Sequence, residues 1–136
     1  MHFTEAHFEN AILELFREQL GYDYVYGPEV ERDYSEPLYI EQLRASLQEL
    51  NPLLPAEAIE EAMVRIRTFE GGSLVQRNEQ FTDRMQNGVE ISYFDGEEQR
   101  SAHVKLIDYD TPLRNRFTVA NQWTVEERSV RRADII

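Results

Sequence analysis

The sequence predicts a mixed α/β domain, and three observations carry that expectation. Residues 5–20 repeat apolar side chains at helical spacing, about 100° per residue, and residues 37–87 hold further helical stretches. After Asn87-Gly88 the period falls to two, and strands follow to the end of the chain. A single short strand, Tyr22 to Tyr26, stands between the first helix and the helical block. The order is therefore a helix, a strand, a helical insertion and a run of strands. At 136 residues the chain is expected to form one domain with room for a hydrophobic core.

Each element has its own signals. Thr4 is placed to N-cap the first helix, Phe3 and Phe8 stand at staple positions, and Gly21 suits the C′ position. Phe8, Ile12, Leu13, Leu15, Phe16 and Leu20 form one apolar face. Glu14 and Glu18 fall opposite it, whereas Glu5 and Glu9 fall inside it. A first-turn carboxylate such as Glu5 is favoured by the helix dipole, but Glu9 lies beyond that explanation. Two readings of Glu9 stay open: it faces a site, or it rims the core. The strand from Tyr22 ends at Gly27-Pro28, and helices are expected over Pro37–Leu50, Pro55–Thr68 and Leu74–Met85. Val89–Phe94 and Ala102–Ile107 read as a hairpin about the turn Asp95–Glu98. Asp108 and Asp110 are open to two readings, a metal contact or a turn before Thr111-Pro112. Phe117–Val125 is a further strand, and Val130–Ile136 is the last.

That last strand sets Asp134 among Ala133, Ile135 and Ile136. A carboxylate buried in an apolar strand is costly unless a proton, a partner or a metal neutralises it. No turn or polar tail follows, so the strand is expected to be cut short and a site to be completed by residues further on.

The net charge is −12 and unevenly spread. Residues 1–50 carry 3 basic and 11 acidic groups, residues 51–113 carry 6 and 12, and residues 114–136 carry 5 and 3. A nucleic-acid face is thus expected only near the C-terminal segment, where Arg131 and Arg132 flank the approach to Asp134. Thirteen of the fourteen cations are arginine, the side chain suited to forked phosphate contacts. The absence of cysteine excludes disulfides and thiolate metal sites. There is no signal-peptide pattern at the N-terminus and no apolar run of membrane-spanning length. Gly-rich phosphate loops, nucleophile elbows and His-x-x-x-His spacings are also absent. His2, His7 and His103 are scattered. Glu9 and Asp134 remain as the carboxylates with a structural oddity. A helix carboxylate and a strand carboxylate that converge make half of a Mg²⁺ site, since that ion takes one or two protein carboxylates with water and phosphate oxygens.

Four stretches carry a family resemblance: TEAHFENAILELFREQLGY at Thr4–Tyr22, LIDYD at Leu106–Asp110, NRFTVANQWTV at Asn115–Val125 and RRADII at Arg131–Ile136. In this order they resemble the N-terminal nuclease domain of the R (restriction) subunit of type I restriction-modification enzymes. The resemblance implies a restriction-endonuclease-like fold with a mixed sheet flanked by helices, of the PD-(D/E)xK nuclease type. It assigns the first metal-binding carboxylate to Asp134, after an Arg-x-Asp pattern, and the first-helix acid of that class to Glu9. Ala133 stands where the family commonly has proline. The family's Glu-x-Lys strand and its two ATP-driven motor domains have no counterpart in these residues, so the expectation is an N-terminal part of a longer subunit.

The resemblance further implies Mg²⁺-dependent hydrolysis of double-stranded DNA by the intact cytoplasmic, prokaryotic subunit, with Arg131 and Arg132 steering backbone phosphates. It implies partners too, the modification and specificity subunits, and ATP bound elsewhere in the subunit. Two rival readings stand beside it. One is a non-enzymatic acidic module that imitates DNA charge for a basic partner, and the other is an assembly domain that docks the subunit on its modification partners.

Overall fold

The structure, a computed structural model, describes residues 2–136. They divide into two compact units: the chain up to Tyr39 together with Arg116–Ile136, and Ile40–Asn115 between them. The second unit is the helical insertion, and it takes the hairpin with it.

In the first unit, α1 spans Glu5–Glu14. Thr4 caps it by accepting from the His7 amide, while His7 Nδ1 accepts from the Thr4 amide, so a histidine closes the capping box. Phe3 and Phe8 meet edge to face at 6.4 Å, the staple expected from the sequence. The helix then widens into a π-helical turn, Leu15–Gln19, in which the Leu20 amide bonds to the Leu15 carbonyl. Phe16, Tyr22 and Phe117 stack in sequence behind it, at 5.0 and 5.3 Å. The apolar face of this helix is only partly covered, because Leu13 is buried while Phe8, Leu15 and Leu20 are exposed.

Strand β1 (Asp23–Tyr26) pairs in parallel with β4 (Thr118–Glu126), and β4 pairs antiparallel with β5 (Val130–Ile135). The sheet is mixed, with β4 in the middle, as the α/β reading requires. Val119, Ala120 and Trp123 are its buried apolar residues. Trp123 anchors the segment that follows β1. Its indole N–H donates to the Pro37 carbonyl at 2.9 Å, and Tyr39 packs on its ring. Arg32 lies 3.8 Å over the same ring and donates to the carbonyls of Glu36 and Thr124. Pro37–Tyr39 are held by these contacts, so the next helix begins at Ile40 rather than at Pro37.

In the second unit, α2 (Ile40–Leu50), α3 (Ala56–Arg67) and α4 (Leu74–Asn87) precede the antiparallel hairpin β2 (Val89–Phe94) and β3 (Gln99–Val104). Ala58, Ile59, Ala62, Met63 and Ile66 line one face of α3 and pack against α2 and the hairpin. Among the described residues, the five largest fully buried side chains, Leu47, Ile59, Met63, Ile66 and Val104, all lie in this unit. The hairpin turn falls at Asp95–Glu98, as the sequence suggested. Asp95 accepts from the amides of Glu97 and Glu98, so β3 starts at Gln99 instead of Ala102. It ends early too, because the Asn51 amide takes both backbone groups of Lys105, donating to its carbonyl at 2.8 Å and accepting from its N–H at 2.9 Å. Asn51 acts there as a one-residue substitute for a strand.

Candidate functional site

Glu9 stands on α1 and is half-buried, and its carboxylate reaches β4. Its Oε1 accepts from Asn121 Nδ2 at 2.9 Å, and Gln122 Nε2 lies 3.0 Å from both carboxylate oxygens. These bonds, first from Gln122 and then from Asn121, hold its carboxyl below the ordinary glutamate range, with a smaller pull from the charge of Arg132. Asn121 is buried and is fixed in turn by Tyr24, whose hydroxyl donates to Oδ1 at 2.8 Å and leaves the NH₂ for Glu9. Arg17 lies over the Tyr24 ring at 4.8 Å. Glu9 thus meets the two side-chain amides of β4.

Neighbouring strand residues ordinarily point to opposite faces. Asn121 and Gln122 nonetheless reach one carboxylate. Gln122 is in the left-handed region, with φ of 54°, and is the non-glycine residue with positive φ in the described chain. The backbone there presses on Gly27, where an added Cβ would lie 2.5 Å from the Gln122 carbonyl oxygen and 2.6 Å from that of Asn121. Gly27, the first residue of a 3-10 turn, is therefore tied to this conformation through space.

Strand β5 supplies the other carboxylate. Asn121 pairs with Ile135 and Trp123 with Ala133, and the register skips Gln122 and Asp134 between them. Asp134 itself is exposed, with Ala133 and Ile135 the partly covered residues on either side. The expectation of a buried carboxylate is thus corrected: alternation turns the apolar neighbours inward and leaves Asp134 in water. The same alternation sets Arg132 on the Asp134 face and Arg131 on the other. The charge of Arg132 acts on Glu9, and α1 touches β5.

Hard carboxylate oxygens suit Mg²⁺ in kind. They do not complete a cage, because among the described residues no group of three His, Asp or Glu side chains gathers to hold a metal. Asp108 and Asp110 follow the turn reading. The buried Asp108 carboxylate accepts from the amides of Asp110 and Thr111 and faces Arg114 at 3.5 Å and Lys105 at 3.9 Å. His103 pairs with Glu90 at 2.6 Å on the exposed hairpin, and His7 is used in the helix cap. The sequence reading passed over Tyr24, Gly27, Asn121 and Gln122. Its available signal was the pair of amides between Ala120 and Trp123, polar side chains in a buried run of strand.

A mixed sheet with a helix-borne carboxylate held on one face defines an α/β protein with an acidic site. The model of the family described as type I restriction enzyme R protein N terminus matches residues 2–136, and the chain belongs to that family. It is 31% identical over 119 residues, 82% of its length, to the type I restriction enzyme HindI endonuclease subunit of Haemophilus influenzae. It is 27% identical over 124 residues, 87% of its length, to the putative type I restriction enzyme MjaIXP endonuclease subunit of Methanocaldococcus jannaschii. The matched region spans 11% and 12% of those two proteins. No solved structure matches the chain.

Proposed function

We propose that this chain is part of the nuclease region of a type I restriction R subunit, with a restriction-endonuclease-like fold, and that the intact subunit cleaves double-stranded DNA with Mg²⁺. The observation that supports this most is the Glu9 carboxylate of the first helix held against β4 by the amides of Asn121 and Gln122. Asp134 and Glu9 would hold the Mg²⁺, whose chemistry is to polarise a phosphate oxygen and activate water. Asp134 is accessible to solvent and substrate from β5. Arg132 supplies a charge for a backbone phosphate beside it, and Arg131 serves a phosphate from the opposite face. ATP belongs to the motor part of the intact subunit, which works in the cytoplasm with modification and specificity subunits.

The 136 residues contain no Glu-x-Lys sequence, so they are expected to cleave no DNA by themselves. In the intact subunit, Asp134→Ala and Glu9→Gln should each lower Mg²⁺-dependent plasmid cleavage by roughly tenfold or more, while Glu14→Gln leaves it unchanged. Equal, small losses from Glu9→Gln and Glu14→Gln would return Glu9 to a structural role. Cleavage by residues 1–136 alone that disappears with Asp134→Ala would overturn the need for the remainder. The net charge of −12 favours a second reading, an acidic module that competes with DNA for a basic partner. Displacement of labelled DNA from such a partner, with no DNA affinity at low salt, is the result that selects it.

A further inference from the structure

We infer that Gln122 is a positioning residue: by leaving the strand conformation it lays its amide beside that of Asn121 on Glu9 and fixes that carboxylate against β4. The inference rests on the reading of Glu9 as part of a divalent-metal site. Three features carry it. A left-handed glutamine in mid-strand is strained, and such strain persists where surrounding structure holds it. The strain produces one specific result, two consecutive amides on one carboxylate, with Gln122 Nε2 3.0 Å from both oxygens. The turn that follows β1 accommodates it with Gly27, whose missing Cβ leaves room for the carbonyls of Asn121 and Gln122.

A residue present only to complete the sheet would take the extended conformation and send its side chain to the other face. Gln122 does neither. Its two contacts span the carboxylate and set the plane of the group, whereas a single donor would leave it free to rotate about the bond. A metal arriving at Glu9 therefore meets an oriented anion.

The test uses the intact subunit without nucleotide and three variants: Gln122→Gly, Gln122→Asn and Glu9→Gln. Glycine keeps the left-handed backbone without strain and removes the amide, and asparagine retains an amide on a residue that tolerates positive φ. Mn²⁺ binding is followed by electron paramagnetic resonance, with thermal unfolding recorded free of divalent ions. Gln122→Gly should weaken Mn²⁺ binding about tenfold, as loss of a group that orients a ligand does. Its melting temperature should be unchanged or higher, and Gln122→Asn should recover part of the affinity. If Glu9→Gln weakens Mn²⁺ binding and Gln122→Gly does not, Gln122 is a strand fitting and the inference falls while the Glu9 site stands. If Glu9→Gln itself changes nothing, the metal reading of Glu9 falls and takes the inference with it. Should Gln122→Gly melt well below the wild type and Gln122→Asn recover stability without affinity, the role is structural and the inference is overturned.

Discussion

In the Ile40–Asn115 unit, polar side chains close the structure on itself. Buried Arg84 donates to the carbonyls of Arg65 and Ile66 and so caps the end of α3, Asn51 substitutes for a strand at Lys105, and Asp108 ties up the loop that follows. In the other unit, the half-buried Glu9, the buried Asn121 and the strained Gln122 converge on a carboxylate that caps nothing and bridges no loop. The packing differs in the same sense. Among the described residues, the five largest fully buried side chains belong to the insertion, while α1 leaves Phe8, Leu15 and Leu20 exposed. Polar groups that complete a backbone stabilise it, whereas polar groups that gather on a strained segment are characteristic of sites. The difference puts the tightest packing in one unit and the strained carboxylate contacts in the other.

The largest test of that contrast is Met63→Ala in the insertion. Met63 is fully buried against α2 and the hairpin, and the cavity should cost about 2–5 kcal/mol in urea unfolding. Loss of less than about 0.5 kcal/mol, the range of an exposed substitution, would end the claim that the core sits there.

Asp108 gives a pH test of intermediate size. The Thr111 amide, then Lys105, the Asp110 amide and Arg114 hold its carboxyl below the ordinary aspartate range. A carboxyl whose folded value is depressed contributes its stability in full above the unfolded value, about 3.9, and loses it as pH falls through the folded value. The melting temperature should therefore fall more steeply below about pH 4 than above it. In Asp108→Asn the midpoint at neutral pH should drop by several degrees and the acid slope should become shallower. A parallel acid slope in that variant would show that other carboxylates carry the transition.

The smallest effects are expected on β5. Arg131→Ala and Arg132→Ala should each change stability by less than about 0.5 kcal/mol, since both side chains are exposed. They should differ in DNA binding by the intact subunit with Ca²⁺ in place of Mg²⁺. Arg132→Ala, on the Asp134 face, should weaken binding and reduce the salt slope by about one, and Arg131→Ala should do less. Equal effects from the two would erase the distinction between the faces.

Local features of the chain were legible in its sequence. The Thr4 cap, the Phe3–Phe8 staple and the hairpin at Asp95-Gly96 each depend on residues within a few positions of one another. The mixed α/β class follows from the change of period after Gly88. Glu9 stood out because it broke a helical face, yet its partners lie 112 and 113 positions away, and no local pattern names them. Asp134 shows the complementary failure. Its apolar neighbours suggested burial, but which side of a strand is covered depends on what packs against the sheet, and that information lies on other elements. The parallel pairing of β1 with β4 was hidden for the same reason, since the whole insertion intervenes.

That pairing also sets an order of events during folding. Asp23 cannot meet Thr118 until everything between them has been synthesised. The insertion closes its own contacts meanwhile, with α3 against α2 and the hairpin. Long-range parallel pairing is slow because loop closure precedes any gain from the contacts. Strand β4 therefore joins late, and Gln122 meets Glu9 only after it has. Interactions made after the rate-limiting step act mainly on unfolding rates. The Glu9 contacts therefore last only as long as β4 stays in the sheet.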